Sequence, residues 1–229
     1  MKKYIFISFF LFKIVSSAAQ TDNKLAIVEA SVNPGGVIDE TGFPEPETLG
    51  SYYIEEDWRR GEIVLKSGIK VINQNLKYDL ENHRIEVQIN DLIKICPLSL
   101  VESFTFSESD RVRIFMNKSS GIKGPILLEL LYEGKNLSLL VHHNIQIKES
   151  DYIPAIDMGS KNHKIVKIRT FIVSSKEGDK ILKNRIQKNQ DLFKEHFLHI
   201  KEYIKINKLS LKSQSDIIEI IKYYESLTI

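Results

Sequence analysis

Two imidazoles one helical turn apart, His196 and His199, are spaced so that they could hold a metal ion, with Glu195 and Glu202 nearby. Zinc accepts such ligands. A site needs a third ligand, however, and the HExxH arrangement that adds a general base is absent. Both rings border an apolar helix face, so packing is the favoured role and metal binding by His196 and His199 the alternative. His142 and His143 are adjacent, and on a strand they point to opposite faces; only the fold could bring either beside His163. Asp57-Trp58-Arg59-Arg60 joins the single Trp to two guanidiniums. Arg stacks on aromatic faces and Trp anchors interfaces, so Trp58, Arg59 and Arg60 form a candidate patch for an anion or a glycan. The competing expectation is a Trp tucked against a sheet edge beside solvated arginines.

Cys96 is the only cysteine, which excludes an internal disulfide. It follows Leu92 and Lys94 at strand spacing and precedes Pro97, the place of a packed, unreactive thiol. No P-loop, dinucleotide fingerprint, G-x-S-x-G elbow or paired-carboxylate motif occurs in the sequence. The reading is therefore non-enzymatic, with no catalytic residue, cofactor or metal assigned.

The elements that would position these residues divide into four segments. Residues 1–19 have the layout of an export signal: Met1-Lys2-Lys3, an apolar stretch from Tyr4 to Val15 broken only by Lys13, and Ser17-Ala18-Ala19 before Gln20. The apolar run is too short for a membrane anchor. The expected location is exported: periplasmic, outer-membrane-associated or secreted. Of the 32 basic residues, Lys2, Lys3 and Lys13 lie in this leader, leaving 29 against 30 acidic ones. Such a balance, without a basic stripe, argues against nucleic acid as partner. No later stretch has the length and apolarity of a membrane-spanning helix. Residues 20–50 read as a flexible acidic lead-in, with a turn at Asn33-Pro34-Gly35-Gly36, Pro44 and Pro46, and a short strand at Ala26 to Val32.

Residues 51–173 alternate with a period of two. Leu76, Tyr78 and Leu80 alternate with Lys77 and Asp79, and Ile85, Val87 and Ile89 with Glu86 and Gln88. Strands are expected at Glu62–Leu65, Ile69–Ile72, Asn75–Leu80, Arg84–Ile89, Leu92–Cys96, Val101–Phe106, Arg111–Met116, Ile126–Tyr132, Leu137–Val141, Ile145–Lys148 and Lys164–Val173. A loop is expected at Glu149–Asn162. Over residues 179–229 the period becomes 3.6, with Phe193, Phe197, Ile200 and Ile204 on one face. A final helix over Ser215–Leu227 carries the stripe Ile217, Ile220, Ile221 and Tyr224, and Ser213 with Asp216 offers its N-cap. The expected class is α+β: an antiparallel β-rich body (meander, sandwich or partly closed barrel) followed by a C-terminal helical hairpin.

Leu49-Gly50-Ser51-Tyr52-Tyr53 through Gly61-Glu62-Ile63, Asn75-Leu76-Lys77-Tyr78-Asp79, and the ending Lys205-Ile206-Asn207-Lys208-Leu209-Ser210-Leu211 before Ile217 to Tyr224 carry a family likeness. In these the chain resembles a group of secreted or envelope proteins of Bacteroidetes-type bacteria whose function is unknown. The resemblance runs from about Gly50 to the C-terminus and implies an envelope or secreted location, with no activity or site residues. The expected function is a protein-interaction module using its sheet face or edges, with another envelope protein as partner. The alternative is a carrier holding a small hydrophobic ligand inside the β body, and a hydrolase or metalloenzyme comes third.

Overall fold

The computed structural model describes residues 46–120 and 124–228. The leader, most of the acidic lead-in and the strand expected at Ala26 to Val32 lie outside the described residues. From Glu47 onward the chain forms one compact unit, and its fold is α+β.

Among the described residues eleven strands form one sheet: β1 (Thr48–Leu49), β2 (Arg59–Leu65), β3 (Lys70–Asp79), β4 (Arg84–Ile89), β5 (Leu92–Pro97), β6 (Val101–Ser107), β7 (Val112–Ser120), β8 (Gly124–Glu133), β9 (Leu137–Lys148), β10 (His163–Ser175) and β11 (Gly178–Ile181). Their order is β1-β10-β9-β8-β7-β6-β2-β3-β4-β5, with β11 also on β10. All pairs are antiparallel except β1 with β10. The meander is broken once, because β6 skips back to pair with β2 and leaves β5 on the rim.

Several boundaries differ from the sequence expectation for physical reasons. The two runs around Asn73 form one strand, β3. Asn73 takes a positive φ of 56°, and the register against β2 shifts between Gly61 and Ile63, so the chain bulges where a break was expected. The runs on either side of His142-His143-Asn144 likewise form one strand, β9, paired to β10 from Leu137↔Ser175 to Lys148↔Lys164. Thr48–Leu49, expected in the lead-in, make the short parallel strand β1. Asp179–Ile181, expected at the start of the helical segment, belong to β11. The loop at Glu149–Asn162 is bonded across itself: Ser160 N–H donates to Asp151 Oδ1 (2.7 Å) and Ser150 Oγ to Ser160 O (2.8 Å).

The sheet is curled but not closed. Strands β3 and β10 stand six places apart in the order, which in a flat sheet would separate them by about 28 Å. Yet Ile54 N–H donates to Tyr78 O on β3 (3.0 Å), while Ile54 O accepts from Lys167 Nζ on β10 (3.3 Å). One residue touches both, so the sheet must bend around it. Residues 51–58 therefore form a strap across the concave face, and a bridge between Tyr53 and Asp79 fixes its start. Beneath lies a cluster of rings. Phe104 stacks on Phe115 at 4.4 Å, and Phe106 and Tyr78 meet Phe104 edge-on; all four are sealed from solvent. Gly61 makes the tight approach of β2 to β6 possible, since a Cβ there would stand 1.9 Å from Thr105 O.

The helical segment contains α1 (Gln190–Phe193), α2 (Phe197–Ile206) and α3 (Gln214–Leu227). The expected continuous helix through Phe193 and Phe197 is interrupted at Lys194, whose φ of 46° and ψ of −127° leave the helical region. Ser213 caps α3 as expected, its side chain accepting from Asp216 N–H. The helices dock on the sheet. Ile200, Leu211, Ile217, Ile220 and Ile221 pack with Leu137, Leu139 and Val173 in a second core. No helix among the described residues is long and apolar enough to cross a membrane.

Glu225 of α3 fixes this docking. Its carboxylate accepts from Asn136 N–H (2.9 Å) and from the Tyr132 hydroxyl, and Gly134 leaves it room, since a Cβ there would lie 2.0 Å from Glu225 Oε2. Burial opposes its ionisation, but the donors of the β8–β9 turn outweigh that and lower its pKa. Removing a buried acceptor with several donors costs about 1–3 kcal/mol. Glu225→Ala is expected to lower stability by that amount in urea denaturation, and an unchanged midpoint would show that the turn does not hold α3.

Candidate functional site

Three adjacent strands place charged side chains on the concave face: Arg113 of β7, Glu129 of β8 and His143 of β9. Phe115 pairs with Glu129, and Arg113, two residues earlier, shares that face. Arg113 Nε donates to Glu129 Oε1 at 2.7 Å and Nη2 to Oε2 at 3.0 Å. This two-pronged contact is the strongest arrangement available to the pair. His143 Nε2 lies 2.6 Å from the same Oε2. The third nitrogen of Arg113 bonds Glu55 on the strap and lies 3.5 Å from Glu108 Oε1. The Arg113 guanidinium also sits 5.2 Å from the centre of the Phe115 ring.

The electrostatics describe a clasp. Burial disfavours the Glu129 anion, yet the His143 and Arg113 bonds outweigh it and lower its pKa to about 2. Burial also works against the Arg113 cation, but its carboxylate partners raise its pKa further. A carboxylate held ionised and committed to two donors ties elements together; it is not poised to exchange a proton near neutrality.

The sequence sets Val112 and Ile114 together on one aliphatic face of β7, which hides this cluster. They are 57% and 38% exposed, whereas Arg113 and Phe115 face inward. A readable signal existed: Glu129 interrupts the apolar run Ile126 to Leu131, and an acid in such a run needs a buried partner.

The residues singled out from the sequence are dispersed. Lys77 Nζ lies 5.2 Å from the centre of the half-buried Trp58 ring and 5.0 Å from that of Tyr53. Arg59 faces Glu55 at 3.6 Å, while Arg60 donates to Asn73 Oδ1 at 2.6 Å. The two arginines are neighbours on β2 and point to opposite faces, so Trp58, Arg59 and Arg60 do not converge. His196 lies in the 3-10 turn before α2 and meets Tyr224 edge-on at 6.1 Å, whereas His199 is exposed. His142 and His143 occupy opposite faces; burial, reinforced by His143 and His83, lowers the His142 pKa. His163 instead accepts from Ser150 N–H (2.9 Å). Cys96 packs half-buried against the ring cluster, and burial raises its thiol pKa. Among the described residues no three His, Cys, Asp or Glu side chains gather to hold a metal ion.

The other distinctive feature is the rim strand β5. Among the described residues it has β4 on one side and no strand on the other. Leu92, Ile93 and Ile95 are 65%, 59% and 49% exposed, and only Lys94 adds a charge. Asn90 and Asp91 form the tight turn into it, both at positive φ, which suits a two-residue hairpin. The opposite rim is blunted by β1 and β11 on β10 and by the strap bonded to Lys167. A largely apolar edge of this kind is a template for another strand. No family model matches the chain, and no curated protein and no solved structure matches it.

The clasp makes a pH prediction. A carboxyl whose folded pKa is depressed contributes stability that is fully present above its unfolded pKa and is lost as pH falls towards the folded value. For Glu129 that window runs from about pH 5 down to its folded pKa near 2, and the loss is on the order of 3 kcal/mol. Glu129→Gln is expected to be less stable at pH 7 and to lose less stability across that window. Parallel acid slopes for the two proteins in chemical denaturation would show that Glu129 does not carry the effect.

Proposed function

We propose that this chain is a non-catalytic interaction module of the cell envelope or exterior, which binds another protein by accepting an extended segment onto β5. The single observation that carries this reading is the rim of the sheet: six residues of regular strand, open on one side among the described residues and bearing three exposed aliphatic side chains. Strand addition uses such edges, with main-chain bonds giving affinity and alternate side chains giving choice. The exported location rests on the leader-like residues 1–19 and the resemblance to envelope proteins. The alternative of a carrier draws less support, because four sealed rings occupy the concave face under the strap.

The edge reading separates binding from folding. Ile93 and Ile95 project from the convex face in register with Gln88 and Glu86 and are largely exposed, so replacing them is expected to change stability by no more than about 0.5 kcal/mol. The double substitution Ile93→Lys with Ile95→Lys is expected to leave the melting curve in place. It should also abolish protection of the β5 amides by a bound partner in hydrogen exchange. Turnover of a substrate by the purified chain, or partner binding that survives the double substitution, would overturn the proposal.

A further inference from the structure

The chemistry of β5 also selects its occupant, and this step rests on the edge reading above. Lys94 is the one charged side chain of the strand. Its cross-strand neighbour on β4 is Val87, and the diagonal neighbours are Ile85 and Ile89. No carboxylate pairs with its ammonium among the described residues. A cation is thus set among apolar side chains at the centre of an edge that is otherwise apolar.

That placement acts against one partner and for another. In a second copy paired antiparallel about a two-fold axis normal to the sheet, the register that aligns Leu92–Cys96 puts Lys94 opposite Lys94. Like charges directly opposite are destabilising. Shifting by one place along each strand either shortens the ladder or brings in Pro97, which has no N–H to donate. An edge lysine of this kind blocks self-pairing, and the same ammonium attracts a carboxylate presented on an incoming strand.

We infer that β5 accepts an extended strand of a different polypeptide with the pattern apolar–acidic–apolar. The apolar residues lie beside Ile93 and Ile95 on the convex face, and the acid lies beside Lys94 on the other.

The test uses two capped peptides, Thr-Thr-Val-Glu-Val-Thr-Thr and the same peptide with Lys in place of Glu. Each is titrated into the full chain while the amide signals of residues 92–97 are followed by NMR. The acidic peptide is expected to bind about fivefold more tightly than the basic one, and Lys94→Glu to invert the order. Lys94→Ile should also make the chain self-associate in sedimentation while the wild type stays monomeric. Equal binding of both peptides, or an order unchanged by Lys94→Glu, overturns the choice of an acidic partner and leaves edge binding intact. Binding of neither peptide overturns both. A wild-type dimer lost on Ile95→Lys makes a second copy the occupant and overturns the inference.

Discussion

The bond network around Arg113 is the constraint on which the rest of this fold depends. A sheet of eleven strands with an apolar concave face has to bury that face against something, and the chain supplies only eight residues of strap to cross it. Main-chain bonds of Tyr52 and Ile54 to β3 bring the strap into place, and the Arg113 contact with Glu55 holds its middle. Burying charges is expensive, and such a pair often contributes less than a well-packed apolar substitute. What it adds here is direction. The two prongs on Glu129 orient the guanidinium, so its third nitrogen meets the strap at one position only.

The ring cluster and the clasp are two layers of one solution. Phe115 packs on Phe104 from below and lies against the Arg113 guanidinium from above. The charged layer therefore rests on a rigid aromatic floor. The helices close the other end of the same face through a separate core. The body thus has two apolar clusters, joined along β8 and β9.

Much of this was legible in the sequence. Period-two alternation located most strands; Arg84–Ile89 has the same bounds in the sequence reading and in the structure, because sharp turns close both ends of β4. The Ser213 cap was also readable, being a local bond between residues three apart. What escaped were features that local pattern does not encode. Asn73 looked like a break because Asn73-Gln74-Asn75 is a polar run, but β3 carries the extra residue as a bulge against β2. Lys194 carries no helix-breaking signature, and the interruption there belongs to a tertiary arrangement in which Leu192 and Phe193 are both buried. The inward side of β7 was hidden because its outward side is equally aliphatic. The clasp escaped for a related reason: Arg113, Glu129 and His143 are far apart in sequence, and only the register of three strands brings them together.

The skip of β6 back to β2 has a consequence for how the chain reaches this state. Strands β2 to β5 form one local meander and β6 to β10 another, and the two halves share a single ladder whose partners, such as Glu62 and Thr105, are widely separated in sequence. Hairpins of each half close quickly, whereas a long-range ladder waits on the entropy of closing a large loop. Until it closes, β2 and β6 both present open rims in addition to β5. A chain whose two halves have formed but not joined therefore has more adhesive edges than the finished molecule, and pairing β2 with β6 is the step that removes them.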